Sequence, residues 1–417
     1  MTLDADDLHD VLDRATDAVA PVGMAARALS NARRRRTRRR GIAAGLASAA
    51  AVAGVVVAVQ GAGGPTAEPP AAPATTTTAP PTPAEPLVAP DIPLDRIQDR
   101  WDPRGAESLP VLDLGVPRVL PVIDGGTGAV GTAVALLDGD GETLLVGADG
   151  TQAALDLPDG LGTRRSVRLS PDGRRVAAVG SSGFFWRDLD GGLDGDPDGG
   201  GWERVEVPAH AREGSVGWLP GSAVVVLQGY GPGVRVDLAT GATRLLPHLA
   251  EYVSWAADPE GRLTYQRRAD EPSTAGAALV SEDGDGGTAE AFPGPLESIQ
   301  RYALSDSSLA AARANGAVVG GRPAAHDVDG LIALDRATLA TRALLPVEDR
   351  AGYYADGGHL VPTSWLDDDT VLFTVLPRDA AKEYLIAWDV ESGDLSRVAC
   401  WPTEYSTSFA TDLLARR

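Results

Sequence analysis

The chain has 417 residues and a formal net charge of −21. Arginine is concentrated before residue 41 and the remainder is strongly acidic, which excludes nucleic acid and close adhesion to an anionic bilayer as roles of that remainder, because both surfaces would repel it. One cysteine, Cys400, excludes an intramolecular disulfide and reads as a small buried hydrophobe.

Residues 1–40 are expected to form a helical, basic cytoplasmic leader. Leu8, Val11, Leu12, Ala15, Ala18, Val19 and Val22 recur at the spacing of one helical face. Asp4, Asp6, Asp7, Asp10 and Asp13 crowd its start, where the helix dipole favours negative charge, and Pro21 and Gly23 end or kink it. The leader holds no Cys/His cluster, so a zinc-bearing regulator is not expected.

Arg33–Arg36 and Arg38–Arg40 then abut the uncharged run Gly41–Gln60. Such a run is about long enough to cross a ~30 Å hydrocarbon layer as a helix. Basic flanks stay on the cytoplasmic side. The expectation is a single-pass transmembrane helix over 41–61, with an inner N-terminus and an outer C-terminal domain. A cleaved export signal is the rival reading. It fits less well, because some forty residues precede the run and no clean Ala-x-Ala site follows.

Residues 62–93 are Pro, Thr and Ala with few large apolar side chains, as in Pro69-Pro70, Thr75–Thr78 and Pro80-Pro81. This composition predicts a disordered, extended linker.

From 94 to 417 the sequence repeats. One series of apolar strand, Asp and tight turn comprises Val234–Pro247, Ile332–Pro346 and Ile386–Leu395, with a rougher copy at Phe185–Gly192. A second series of turns entering apolar strands comprises Leu169–Ala177, Trp218–Val224, Ala257–Leu263, Leu304–Ala310 and Trp365–Val371. The spacing of roughly 40–60 residues is that of four-stranded propeller blades, which cannot stand singly and pack radially until a ring closes. With an initial unit around Thr132–Leu157, the series predict an all-β propeller of about six blades, seven being the alternative. A strand near Ser408–Leu414, paired with one near Leu109–Leu114, is expected to fasten the ring.

Ser170-Pro171-Asp172-Gly173-Arg174, followed by an apolar strand, resembles the blade signature of TolB-like propellers. Trp388-Asp389-Val390-Glu391-Ser392-Gly393 resembles the strand end of a WD repeat. The whole arrangement is similar to membrane-anchored propeller proteins of GC-rich bacteria. The resemblance implies a binding scaffold at the cell envelope. The blades lack the Gly-His pair of true WD repeats, so that family's Asp–His network is not expected.

The chain carries no Gly-x-Ser-x-Gly elbow, no His-Glu-x-x-His and no phosphate-binding loop. His210, His248, His326 and His359 are dispersed and fall near loops. Asp194, Asp196 and Asp198 match the front half of a calcium loop, making calcium the one cofactor candidate. The twelfth position is Val205 instead of Glu, and Pro197 stiffens the segment, so an ordinary hairpin loop is the favoured reading. Trp186, Trp218, Trp255, Trp365 and Trp388 are expected to pack in the core, whereas Trp202, Tyr353, Tyr354 and Trp401 are expected in loops that can line a ligand surface. The expected function is non-enzymatic binding of a protein, peptide or glycan. The alternatives are a hydrolase with a funnel-lined site, or a sensor relaying binding to the leader.

Overall fold

The computed structural model describes residues 87–88, 92–120, 130–139, 142–189, 201–247, 249, 255–267, 278–282, 288–292, 298–315, 318–319, 322–323, 328–348 and 360–415. The leader 1–40, the span 41–61 and most of the linker 62–93 lie outside these residues. Among the described residues no helix is long and apolar enough to cross a membrane.

Among the described residues, six blades of four antiparallel strands follow one another, each running from an inner to an outer strand, and one of them, blade 4, gains a short fifth strand in parallel. Blade 1 is Ser406–Phe409, Ala133–Asp138, Thr143–Gly147 and Gln152–Ala154. Blade 2 is Ser166–Leu169, Arg175–Gly180, Gly183–Asp188 and Glu203–Val205. Blade 3 is Ser215–Trp218, Val224–Gln228, Gly233–Asp237 and Thr243–Leu246. Blade 4 is Trp255–Ala257, Leu263–Arg267, Ala278–Glu282 and Thr288–Phe292. Blade 5 is Ser298–Leu304, Ser308–Asn315, Val328–Asp335 and Thr341–Pro346. Blade 6 is Leu360–Trp365, Thr370–Val375, Lys382–Asp389 and Leu395–Pro402.

The apolar cores lie between blades, one at each junction, and together they close a circle. Leu136 and Leu145 of blade 1 meet Val167 and Val176 of blade 2, while neighbouring Leu137 and Leu144 meet Leu385 and Trp401 of blade 6. Alternate residues of one strand thus bury in opposite neighbours, which is the period of two that a β-strand imposes. It also explains why middle strands such as Ala133–Leu137 read as unbroken apolar runs: both faces are covered.

The ring is fastened by Ser406–Phe409, which pairs antiparallel with Ala135–Asp138. The closing strand overlaps the expected Ser408–Leu414 only at Ser408 and Phe409, because Thr411–Ala415 turn into a short helix, and its partner is not Leu109–Leu114. That segment belongs to a strap along the outer rim. Leu87–Val88 pair parallel with Ala291–Phe292 of blade 4, Ile97 and Trp101 bridge to Leu344 and Val347 at blade 5, and Val111 and Val119 bridge to Arg397 and Cys400 of blade 6. The strap starts within the 62–93 stretch, where Leu87, Val88 and fully buried Ile92 interrupt the Pro/Thr/Ala composition. It gives the outer edges of three blades a hydrogen-bonding partner.

The strap also explains a second departure. Trp401, expected in a loop, lies in the outer strand of blade 6 and is 1% exposed, because strap residues Leu114, Val116 and Leu120 pack into the same core. Cys400 is buried as expected. Burial raises its thiol pKa, and Sγ lies 3.6 Å from the Arg118 carbonyl.

In blades 3, 5 and 6 the turns between third and fourth strands repeat almost atom for atom. Thr240 N and Oγ1 both donate to Asp237 Oδ1 at 2.9 Å, and Thr338 makes the same pair of bonds to Asp335 at 2.8 and 2.7 Å. At Asp389 the Ser392 amide takes the role, at 2.8 Å. The residue after each of these donors is left-handed: Gly241, Leu339 and Gly393 have φ of 69°, 56° and 82°. Leu339 accepts the less favourable backbone while burying its side chain, which is 3% exposed.

Candidate functional site

The second repeat series forms one end of the central channel. In each of blades 2 to 6 an amide at the end of the inner strand closes the turn onto the second strand: Ser170 to Arg175, Leu219 to Val224, Asp258 to Arg262, Ser305 to Ser308 and Leu366 to Thr370, at 2.8–3.0 Å. In blade 1 the matching amide is Ala410, which donates to Val134 at 3.1 Å. The residue after each of these amides faces the channel. Around the ring those residues are Thr411, Pro171, Pro220, Pro259, Asp306 and Asp367, and all six line one cavity of about 680 Å³.

This mouth has two unlike halves. Blades 2, 3 and 4 contribute Pro171, Pro220 and Pro259 with the indoles of Trp218 and Trp255. Blades 5, 6 and 1 contribute Asp306, Asp367, Asp368 and Asp412, together with Leu304, Trp365 and Leu366. Among the described residues, no Lys, Arg or His lines the cavity. Arg336 and Arg342 stand behind the acidic turns, already engaged: Arg336 Nη2 donates to Asp258 at 2.8 Å, and Arg342 pairs with Asp369.

The turns are held by their own side chains. Asp367 Oδ1 accepts the amides of Asp369 at 2.9 Å and Thr370 at 2.7 Å, and Asp368 Oδ1 accepts from Ser307 Oγ at 3.1 Å. Asp258 is fully buried. Its burial opposes ionisation, but hydrogen bonds from Arg336 and Arg262 outweigh that and hold its pKa below the ordinary carboxylate value. Trp255 lies so close to Gly217 that a Cβ there would come within 2.4 Å of the ring, so this glycine is what lets the indole lie on the blade 3 backbone.

Asp194, Asp196 and Asp198, and likewise His248, His326, His359, Tyr353 and Tyr354, lie outside the described residues. Among the described residues no group of three or more His, Cys, Asp or Glu is placed to hold a metal ion. His210 is away from the mouth, with Nε2 3.1 Å from the Pro232 carbonyl. Trp202 is tied by its indole N–H to the Asp156 carbonyl at 2.9 Å, also apart from the mouth. Trp218, Trp255 and Trp365, expected only to pack, also line the cavity. Asp306, Asp367, Asp368 and Asp412 carry no recognisable motif as a set. For Asp306 and Asp367 the signal in the sequence is the second repeat series, where Pro gives way to Asp at one turn position; Asp412 stands outside that series.

No family model matches the chain, and no curated protein matches it. Solved structures similar to it include two TolB proteins and a propeller domain. TolB from Acinetobacter baumannii is 13% identical with a TM-score of 0.43, the match covering 67% of this chain and 66% of that one. A putative TolB from Agrobacterium tumefaciens is 14% identical with a TM-score of 0.42, covering 67% of this chain and 99% of that one. The β-propeller domain of the Trilobed protease from Pyrococcus furiosus is 13% identical with a TM-score of 0.40, covering 66% and 84%. The chain thus spans just under two thirds of the Acinetobacter protein's length. The class of protein, a six-bladed propeller closed by its C-terminal strand, follows from the sheet order and register of this chain itself.

Proposed function

We propose that this chain is a binding propeller whose ligand seats in the channel mouth, and that residues 41–61 hold the propeller outside the cell membrane. The observation that carries the first part is the mouth itself. Six equivalent turn positions converge on a cavity in the size range of ligand sites, with aromatic walls and a few polar groups gathered on one side. The arginine block beside a hydrocarbon-length apolar run supports the second part.

A photo-crosslinking residue at Ser364, which lines the cavity, tests the first part against one at Leu245, which is 52% exposed on the outer strand of blade 3. In cells expressing the full chain, one defined adduct is expected from position 364 and none from 245. Adducts from 245 alone would move the ligand to the rim. Turnover of a glycoside or ester by the full chain, lost in Asp367→Asn, would replace binding by catalysis. For the second part, a C-terminal tag is expected to be digested by protease added to intact cells; a protected tag would overturn the outside placement.

A further inference from the structure

We infer that the mouth selects a short chain segment in which basic residues stand beside apolar ones. This rests on the channel-mouth reading above and adds the chemistry of the ligand. The argument is the division of the ring. Three consecutive blades place Pro171, Pro220 and Pro259 at the turn position facing the cavity, and the next two place Asp306 and Asp367 at that same position. Asp368 and Asp412 extend the acidic half, Trp218 and Trp255 extend the apolar half, and Trp365 of blade 6 sets a third indole beside the acidic turns.

A ligand matching both halves carries positive charge on one side and apolar surface on the other. Indole faces attract ammonium and guanidinium groups as well as apolar ones, so the boundary between the halves also favours a cation. A ligand carrying positive charge complements Asp306, Asp367 and Asp368, and among the described residues the lining includes no basic side chain that would compete with it. A single metal ion fits poorly, since the carboxylates come from three blades and, among the described residues, do not converge as a ligand set. The volume of about 680 Å³ corresponds to roughly twenty water molecules, which is more than one side chain fills. A segment of several residues fits that space.

The test is titration calorimetry of the full chain with four probes: the blocked tetrapeptides Phe-Arg-Lys-Leu, Phe-Glu-Asp-Leu and Gly-Arg-Lys-Gly, and the neutral sugar cellotetraose. Phe-Arg-Lys-Leu is expected to bind about tenfold or more tighter than the other three, and to weaken as salt is raised. The D306N/D368N double variant keeps acceptors at both positions and is expected to lose about tenfold for that peptide while melting like the parent. Comparable or tighter binding of Phe-Glu-Asp-Leu, or an unchanged affinity in D306N/D368N, overturns the charge selectivity. If the acidic peptide or the sugar binds instead, and Ser364→Trp abolishes it, the mouth stands as the ligand site and only its chemistry is wrong. Binding of none of the four overturns both.

Discussion

The indole N–H of Trp365 donates to the main-chain carbonyl of Ala303 at 3.1 Å, and Trp218 makes the matching bond to Arg168 at 3.1 Å. Each tryptophan reaches from the inner strand of its blade to the inner strand of the preceding one. The residues that wall the channel therefore also stitch blades 5 to 6 and 2 to 3. Trp365→Phe keeps an aromatic ring but removes the donor, so a loss of about 1–2 kcal/mol is expected in urea unfolding. Trp365→Ala, which also opens a cavity, should cost about 3–5 kcal/mol. Equal stability of the phenylalanine variant and the parent would show that the bond is incidental.

Two glycines in equivalent turns should respond differently to alanine. Gly221 has φ of 82° with nothing within 4 Å of an added Cβ, so Gly221→Ala should cost only the backbone term, about 1 kcal/mol. Gly173 has φ of 73°, and its Cβ would lie 2.2 Å from the Ala133 carbonyl oxygen where blade 2 meets the ring closure. Relief there requires moving main chain, so Gly173→Ala should cost at least about twice as much. Thermal melts of the two variants side by side check the ratio.

Asp258 makes stability depend on acid pH with a definite sign. Its folded-state pKa lies below the ordinary aspartate value of about 3.9, so the unfolded chain takes up this proton first as pH falls. Its contribution is complete above that ordinary value and is lost as pH falls through the lower folded-state value. Asp258→Asn leaves Arg336, whose side chain is 18% exposed, without its carboxylate and should cost about 3 kcal/mol near neutrality. The gap between parent and variant, measured by denaturant titration, should narrow below about pH 4. A gap constant across pH would mean that the ionised form contributes nothing.

Gln98 ties the strap to blade 6 through both ends of its amide. Oε1 accepts the indole N–H of Trp388 at 2.8 Å, and Nε2 donates to the Val390 carbonyl at 2.8 Å. Trp388 is fully buried, so Gln98→Ala strands its N–H and should cost about 2–3 kcal/mol. Gln98→Glu keeps the acceptor and should recover part of that. Chemical denaturation followed by tryptophan fluorescence distinguishes the two variants.

The blades are legible in the sequence because they are built from local signals: in blades 3, 5 and 6 an Asp-led turn whose carboxylate takes the Thr or Ser three residues on, and in blades 2 to 6 a second turn entering an apolar strand. The strap is not. Ile97, Trp101, Val111 and Val119 touch the outer strands singly and in parallel, and such isolated bridges leave no period in the sequence. The partner of the closing strand is hidden for a related reason. Leu109–Leu114 and Ala133–Asp138 are both apolar stretches, and only the long-range register separates them. Of the mouth, the turn positions are readable but their convergence is not. Pro171 and Asp412, far apart in the chain, face one cavity only after the ring has closed.

The winding of the N-terminal segment also governs how the propeller bears tension. A pull on the chain ahead of Leu87 falls first on the two main-chain pairs at blade 4, then on the contacts at Leu344, Val347, Arg397 and Cys400 in turn. These must peel away one after another before any load arrives at Ala133. The joint made by Ser406–Phe409 is secured from the opposite terminus. The wrapped segment acts as the strain relief of a cable, giving way by steps while the circle it encloses stays shut.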